Sequence, residues 1–355
     1  MFNENINITD YCSKRERLPL VPKISPNWIT ADYLGSVKCR ISNSFRMKYK
    51  VAPGLYSLGE PDENSDVFAS ANYKLSFDIL RKALNGLSAW ILVLDTKGIN
   101  VWCAAGKGTF GTAELVKRIN KVKLTNVVNH MRIIVPQLGA VGINADEVRK
   151  QTGFKVYFGP VYAKDIKNYI EAGKRKTPEM RKIEFSTLNR LILTPMEIIP
   201  AIKKFFIFAI VVLLFFGLQP AGVIFKNAWV SGAPFLLFGL ISIIGGAFIT
   251  PVLLPFIPFR SFAIKGWIIG IISVAFILFF LNLHGQKNGL IRSVDFLFFP
   301  MASSYLALQF TGSTTFTNMS GVKKELKIAL PIYLISVAIS IILLVIYKLH
   351  KLAVI

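Results

Sequence analysis

The chain of 355 residues is 53% hydrophobic and has a mean hydropathy of +0.49, whereas soluble domains are roughly 45 to 50% apolar. This excludes a single ordinary soluble domain and indicates that part of the chain lies in lipid. The net charge is +22, but only twelve basic and two acidic residues follow residue 200, and there the basic residues flank apolar runs. Anionic lipid explains that placement more simply than nucleic acid does, so we expect no nucleic-acid partner.

The chain divides by composition into four predicted regions: an N-terminal extension (1–50), an α/β domain (51–171), a charged linker (172–204) and a transmembrane domain (205–355). The first residues are polar and contain no apolar core of signal-peptide length, so the N-terminal half is expected to stay in the cytoplasm. The VAPGLYSLGEP segment, with its Pro-Gly pair, predicts a loop ahead of the first strand.

Between about residues 65 and 170, short β-rich runs alternate with amphipathic stretches. This alternation is typical of βαβ units that build a mostly parallel sheet. Asn144 is the expected N-cap of one helix, with Glu147 completing a capping box. The predicted strands are 66–70, 89–94, 131–135 and 155–158, and the predicted helices are 75–84, 112–120 and 144–152.

Beyond Lys204 the apolar runs reach the roughly 20 residues that a helix needs to cross a hydrocarbon core of about 30 Å. Five spans are predicted, which makes the second half an all-α transmembrane domain of a multi-pass protein in the cytoplasmic membrane. Asp295, Ser303, Ser304 and Gln309 make the fourth span polar, so a partly re-entrant segment or a helix that lines an interior face stays open as an alternative. The spans are 205–225, 232–256, 266–283, 295–310 and 330–347.

The most unusual local sequence is AWILVLDTKG followed by INVWCAAGKGTFGTAELVKRI, in which Cys103 lies in a Gly-rich turn between a strand and a helix. Helix-start N–H groups and Lys107 would favour the thiolate, which is both a nucleophile and a soft metal ligand. A small buried residue that only packs the turn is an equally good interpretation, because free cysteines are often buried. Cys12 and Cys39 complete a set too small and scattered for a disulfide framework or a CxxC-type metal site.

Gly106, Gly108 and Gly111 also spell GxGxxG before a helix, the pattern of a dinucleotide site. That interpretation is weak, because the first glycine lies about ten residues after the strand and the acidic residue expected about 20 residues further on is missing. A P-loop fails because its first glycine would have to replace Val101.

The segment Asn100 to Lys107, NVWCAAGK, resembles the signature of the mercury-methylating corrinoid protein family position for position. The resemblance extends through VAPGLY, SANYKLSFD, ILVLDTKG, GKGTFGT, PQLGA and TGFKVYFGP, and QFTGSTTFTNMSGVKKE near the C-terminus is also similar. More distantly, the α/β domain is similar to the cobalamin-binding domain of the corrinoid iron-sulfur protein of the acetyl-CoA pathway, which lacks the cysteine.

This resemblance implies a Rossmann-like corrinoid-binding domain that holds the cofactor, cobalamin in its methylcobalamin form, above the carboxyl ends of the strands. Cys103 would be the catalytic residue and the lower axial ligand of the cobalt, pushing electron density onto the metal so that the methyl group leaves with its bonding pair to Hg(II). The cofactor-binding residues implied or suggested by loop position are Ser70, Asn72, Thr96, Gly98, Asn100, Val101, Trp102, Cys103, Ala104, Ala105, Gly106, Lys107, Gly108, Thr109, Gln137, Leu138, Gly139, Phe158 and Gly159.

The family also implies partners: a ferredoxin-like reductant with two 4Fe-4S clusters, a methylfolate or its methyltransferase as donor, Hg(II) as substrate, and membrane lipid. Two other functions stay open at this stage. The chain could be a corrinoid methyl carrier of one-carbon metabolism, or a membrane transporter with a cytoplasmic accessory domain, although so few ionisable residues in the spans disfavour coupled transport.

Overall fold

A computed structural model describes residues 21–219, 222–280, 288–314, 316–317 and 319–352. The chain forms two compact units, Met1–Ile183 and Glu184–Ile355. The first is a mixed α/β unit and the second is helical, as the composition predicts. Cys12 lies outside the described residues, as does the end of the predicted span 266–283.

The first unit is built on a sheet of six strands in the order β1-β2-β4-β3-β5-β6. Strand β3 is parallel to β4 and to β5, β5 is parallel to β6, and β2 runs antiparallel to β4. The strands are β1 (Lys23–Ile24), β2 (Gly54–Leu58), β3 (Val67–Ala71), β4 (Ala89–Leu94), β5 (Arg132–Val135) and β6 (Lys155–Phe158).

Helices cover both faces of this sheet, and each face has its own apolar core. Leu92 and Leu94 of β4 pack with Leu115 on one face, whereas Ile91 and Val93 pack with Leu80 on the other. The alternation of side chains along β4 therefore feeds two cores, which explains why this strand is apolar at every position. The helices of the unit are α1 (Thr30–Ile41), α2 (Asn43–Lys48), α3 (Lys74–Ala83), α4 (Val101–Gly106), α5 (Thr112–Lys121), α6 (Ala145–Thr152) and α7 (Ile166–Glu171).

Residues on either side of the predicted α/β domain also belong to the first unit. The N-terminal segment supplies β1, α1 and α2, and Asp32 of α1 forms an ion pair with Arg81 of α3. After α7, Lys174 pairs with Asp66, and Met180 is buried in the core beneath α3. The compact unit thus extends from the described N-terminal residues to Ile183.

The second unit contains, among its described residues, four helices long and apolar enough to cross a membrane: Thr187–Gly217, Phe225–Val252, Phe262–Phe280 and Ser320–Lys351. Its elements are α8 (Thr187–Leu193), α9 (Pro195–Gly217), β7 (Leu218–Gln219), β8 (Gly222–Val223), α10 (Phe225–Ile244), a π-helical turn (Gly245–Ile249), α11 (Thr250–Val252), α12 (Phe262–Phe280), α13 (Gly289–Gln309) and α14 (Met319–Lys351).

The predicted count of five spans is not confirmed. The fourth predicted span lies in α13, which is helical but is not among the helices that qualify by length and hydropathy. Its Asp295, Ser303 and Ser304 are buried, and Ser303 donates a hydrogen bond of 2.8 Å to the Gly266 carbonyl of α12. These three polar side chains thus face protein rather than the surface, whereas Gln309 is exposed.

The four predicted strands of the α/β domain are confirmed to within one or two residues. The expected loop VAPGLYSLGEP is wrong, because Gly54–Leu58 forms β2. The flanking Pro and Gly residues mark the ends of this strand, and the partner that stabilises it, β4, lies 30 to 40 residues further along the chain. Asn144 caps α6 as predicted, since its side chain accepts a hydrogen bond from the Glu147 N–H.

Candidate functional site

Three loops meet at the carboxyl edge of the parallel strands. Residue 72 follows β3, residues 95–100 follow β4, and residues 136–142 follow β5 as a short stretch of 3-10 helix. The chain passes from β3 to β4 on one side and then crosses to β5 on the other, so the strand order reverses between β3 and β5. Ligands of open α/β sheets bind outside the carboxyl ends at such a reversal. The fold therefore points to this edge as the candidate site.

Asn72 fixes the loop after β4. Its Oδ1 accepts hydrogen bonds from the backbone N–H groups of Thr96, at 3.1 Å, and Gly98, at 2.8 Å. Its Nδ2 donates to Asp95 at 3.2 Å. Asn72 and Thr96 are almost fully buried. Their side chains hold the loop that leads to Cys103, which is a positioning role and not one of direct access to a ligand.

Helix α4 carries Cys103 and begins immediately after this loop. Asn100 is its N-cap, and its side-chain oxygen accepts a 2.9 Å hydrogen bond from the Cys103 N–H. An N-cap of this kind satisfies a backbone donor that the first turn leaves unpaired. The sequence interpretation of a Gly-rich turn is thus too simple, because the NVWCAAGK segment is a capped helix of six residues.

One face of α4 is buried in the domain core. Val101, Ala104 and Ala105 recur at helical spacing and pack with Leu94 and Phe110. The small size of the two alanines lets the loop after β5 approach closely, since a Cβ at Gly142 would lie 3.2 Å from the Ala105 Cα and 2.2 Å from the Phe110 carbonyl oxygen. Backbone atoms cannot move aside as a flexible side chain can, so this contact fixes α4 against the sheet edge.

The opposite face of α4 is open. Cys103 is half-buried with a free thiol, and Trp102 is 40% exposed. Gly106, one turn after Cys103, is exposed, and a Cβ there would meet no atom within 4 Å. Residues three apart on a helix are neighbours, so the missing side chain at Gly106 leaves the flank of Cys103 accessible. Lys107 ends the helix, with its N–H donating to the Cys103 carbonyl.

The glycines of this segment have different structural roles. Gly108 has a φ of +77°, a conformation that favours glycine. A Cβ at Gly111 would lie 2.8 Å from the Gly108 carbonyl oxygen, so Gly111 is needed within the chain itself. Neither a positive φ nor a close contact within the chain requires glycine at position 106. Of the three, it alone has a helical backbone with open space beside it, as a close-lying ligand would require.

The other predicted site residues are placed as follows. Gln137 and Leu138 are half-buried, and the Gln137 side chain accepts a hydrogen bond from Lys176. Ser70 and Gly139 are buried beneath the edge, and Thr109 is half-buried at the end of the α4 turn. Phe158 is half-buried at the end of β6 and Gly159 after it is buried. Those that are exposed or half-buried are Asn100, Trp102, Cys103, Gly106, Lys107, Gly108, Thr109, Gln137, Leu138 and Phe158.

Two further residues of this edge, Val141 and Gly142, are not among those predicted from the sequence. Val141 is 80% exposed although it is apolar, and Gly142 is required by its contact with Phe110. The PQLGA motif ends one residue before them. An apolar residue between glycines in a loop was the available signal, but its exposure could not be known without the fold.

The second described cysteine has a different environment. Cys39 of α1 is 2% exposed and packs with Tyr73 and Leu75. Burial raises the pKa of its thiol, although Tyr73 and nearby arginines act in the opposite direction. A neutral, enclosed thiol is a poor nucleophile and metal ligand, so Cys39 is unsuited to binding Hg(II) in the folded chain.

The corrinoid implied by the sequence resemblance fits the residues of the edge. The thiol of Cys103 has an open flank, and the exposed apolar surface of Trp102 and Val141 suits a large planar ligand. Within the described residues, no three His, Cys, Asp or Glu side chains gather as a metal site. A corrinoid brings its own metal within the macrocycle, so Cys103 alone could serve as its protein ligand.

Comparison with known proteins also relates this part of the chain to a corrinoid protein. Residues 38–170 match the family model described as CO dehydrogenase/acetyl-CoA synthase delta subunit. The chain is 30% identical over 128 residues to the acetyl-CoA decarbonylase/synthase complex subunit gamma of Archaeoglobus fulgidus, covering 36% of this chain and 27% of that protein.

Two further relatives show the same extent of similarity. Subunit gamma 2 of the same complex from Methanosarcina thermophila is 34% identical over 122 residues, which is 33% of this chain and 25% of the relative. The corrinoid/iron-sulfur protein large subunit of Moorella thermoacetica is 30% identical over 125 residues, 35% of this chain and 28% of the relative. The chain thus spans about a quarter of the length of these relatives. The matched segment lies within the first unit and includes α4 and its surrounding loops.

Proposed function

We propose that the protein is a membrane-anchored, corrinoid-dependent methyltransferase that passes a methyl group to Hg(II) and forms methylmercury. The observation that carries the proposal is the half-buried, free thiol of Cys103 on a helix fixed at the carboxyl edge of the parallel strands of a mixed α/β sheet. Its support comes from the NVWCAAGK resemblance, from the match of residues 38–170 to the CO dehydrogenase/acetyl-CoA synthase delta subunit family model, and from the similarity to a corrinoid/iron-sulfur protein large subunit.

A bound methylcorrinoid would supply the methyl group, and Cys103 would hold its metal through a thiolate, an electron-rich ligand that would favour transfer of the methyl group with its bonding electron pair. This polarity is what an electrophile such as Hg(II) requires. Cys103 therefore has a chemical task that a merely packed residue does not.

The remaining residues of the edge would hold the thiol in place. Asn100 fixes the backbone of Cys103 through its N–H, and Ala104 and Ala105 pack α4 on the core. Gly106 keeps the neighbouring surface free, and Trp102 offers an apolar face. If the Cys103 thiol binds and releases the metal during a reaction cycle, it needs such a support, because a loosely held thiol would not return to the same position.

Two partner proteins and a location belong to the proposal. A ferredoxin-like protein with two 4Fe-4S clusters would serve as reductant, and a methylfolate or its methyltransferase would restore the methyl group. The four apolar helices of the second unit would anchor the protein in the cytoplasmic membrane, with the corrinoid domain in the cytoplasm.

A second function is favoured by the comparisons themselves. The relatives carry the names of subunits of the acetyl-CoA decarbonylase/synthase complex and of a corrinoid/iron-sulfur protein. A corrinoid methyl carrier of one-carbon metabolism, for which mercury is an incidental acceptor, would use the same edge. Deletion of the gene separates the two, since loss of mercury methylation with unchanged growth and one-carbon metabolites favours the first function.

The decisive experiment is the ultraviolet-visible spectrum of the full-length protein loaded with a corrinoid, compared with that of Cys103→Ala. We expect the wild-type spectrum to show a sulfur-ligated cobalt and the variant to lose that feature while it keeps the corrinoid. Identical spectra would contradict a cobalt-sulfur bond and would leave a carrier with a structural cysteine.

Methyl transfer to Hg(II) by the same proteins tests the reaction. We expect Cys103→Ala to reduce it to the background rate, and Cys103→His to keep the corrinoid without efficient transfer. Cys39→Ala is the matched control and should retain wild-type activity, because that thiol is enclosed. Full activity of Cys103→Ala would show that the proposed role of Cys103 as a metal ligand is wrong.

A further inference from the structure

Helix α1 is amphipathic, but its polar face is buried and its apolar face is exposed, which is the reverse of a normal surface helix. Its buried positions are Asp32, Gly35, Ser36 and Cys39, which are mostly polar or small. Its apolar side chains face away from the domain and are about half-exposed. These are Tyr33 at 51%, Leu34 at 53%, Val37 at 54% and Ile41 at 42%; Ile29, which precedes the helix, is 53% exposed, and Met47 of the following helix α2 is 49% exposed.

The orientation of α1 is fixed by ionic contacts on its buried face. Asp32 accepts hydrogen bonds from Lys74 and from Arg81 of α3, each at 2.7 Å. Both of these bases also pair with Asp78, which is 1% exposed. Rotating α1 to bury its apolar face would break this cluster and leave uncompensated buried charges. The outward apolar face is therefore a stable feature of the fold.

The charge around this face has one sign. Residues 33–50 contain five basic side chains and no acidic one, and the nearest acid, Asp32, is buried. Lys38 and Lys48 are exposed, and Lys82 of α3 lies over the Tyr33 ring at 5.2 Å. An apolar strip bordered by Lys and Arg is the surface that an interfacial helix presents to lipid.

We infer that α1 and α2 form a docking surface for an anionic lipid bilayer, defined by Tyr33, Leu34, Val37, Ile41 and Met47 with Lys38 and Lys48. The apolar side chains enter the headgroup boundary while the lysines meet lipid phosphate. Charge complementarity selects an anionic surface, since each basic residue near such a membrane strengthens binding about fivefold.

The apolar helices of the same chain favour lipid over a soluble acidic protein as the partner of this docking surface. Among the described residues, the first of four helices long and apolar enough to cross a membrane begins at Thr187, soon after the first unit ends at Ile183. A covalent tether of this kind gives a weak lipid-binding surface a high effective concentration of bilayer. The inference does not depend on corrinoid binding or on methyl transfer.

The test uses the full-length protein in vesicles with a photoreactive side chain, Val37→p-benzoylphenylalanine. Illumination in vesicles of phosphatidylcholine and phosphatidylglycerol should give a lipid adduct, identified by mass spectrometry. The same substitution at Lys150, an exposed polar position of α6, is the control. We expect at least about a fivefold higher yield of lipid adduct at position 37.

Two changes should bring that yield to the control level. One is Leu34→Glu in the same chain, which puts an acidic group on the apolar strip, and the other is omission of phosphatidylglycerol. An adduct with protein instead of lipid, or equal yields at positions 37 and 150, would overturn the inference. Equal yields with and without phosphatidylglycerol would overturn its electrostatic part.

Discussion

The surroundings of Cys39 and Cys103 show how one residue type acquires two different chemical characters in the same α/β unit. Both are free cysteines on short helices. On α1 the cysteine belongs to the buried face, where burial raises the pKa of its thiol. On α4 the buried face is made by alanine and valine, so the cysteine remains on the open side. The side of the helix on which a cysteine falls, and not its local sequence alone, decides its reactivity.

Thiol modification should separate the two cysteines most clearly. In a Cys12→Ser background, we expect a small alkylating reagent to modify Cys103 at least about 100-fold faster than Cys39, since modification of an enclosed thiol requires local opening. Rates measured by mass spectrometry of the native protein would test this. Comparable rates would mean that α1 opens readily or that Cys103 is shielded, and a denatured sample, in which the rates converge, is the control.

The glycines around α4 provide a second test, with a smaller effect. Gly142→Ala should lower the free energy of unfolding of the first unit by about 1 to 3 kcal/mol, because its Cβ would overlap the Phe110 carbonyl oxygen. Gly106→Ala should leave it unchanged or raise it by up to about 1 kcal/mol, since alanine favours the helix. Denaturant unfolding monitored by the fluorescence of Trp90, a core residue of β4, would compare the two variants.

Substitution of Gly106 should change corrinoid affinity rather than the stability of the unit. A bulky side chain in Gly106→Val would obstruct the open side of α4 and reduce corrinoid affinity while the unit stays folded. Unaltered affinity would place the ligand elsewhere on the edge and would weaken the contrast between the two cysteines.

The smallest expected effect is that helix α1, which carries Cys39, is less stably packed in acid. Burial alone would raise the pKa of Asp32, but hydrogen bonds from Lys74, the Ile29 N–H and Arg81 outweigh it and lower that pKa. A carboxylate with a lowered folded-state pKa contributes stability above its unfolded pKa of about 4, and loses it as the pH falls through the folded value.

Modification of Cys39 by dithiodipyridine, which reacts with thiols in acid, should therefore accelerate as the pH falls below about 4. Asp32→Asn should start from a faster rate and show a weaker pH dependence. An unchanged pH dependence in that variant would assign the acid response to other carboxylates.

Local sequence was sufficient for much of this molecule. The run Ala89–Leu94 is apolar at each position and forms the central strand β4, and Asn144 identifies the start of α6. Cys103 and its neighbours could be singled out for the same reason, because the motif is contiguous.

Other features depend on contacts between distant residues. The strand β2 was mistaken for a loop because its partner lies far along the chain. The polar buried face of α1 is explained by Lys74 and Arg81, more than 40 residues away. The structural role of Asn72 likewise depends on a loop 24 residues later. No period or motif within a short window could indicate these pairings.

The loop held by Asn72 has a further consequence for ligand binding. Lys97 and Gly98 both adopt left-handed backbone conformations, with φ of +58° and +79°, and the Asn72 side chain keeps them there. The chain entropy of this segment is therefore lost during folding and not when a ligand arrives. Preorganisation of that kind strengthens binding and allows α4 to meet successive ligands in the same geometry.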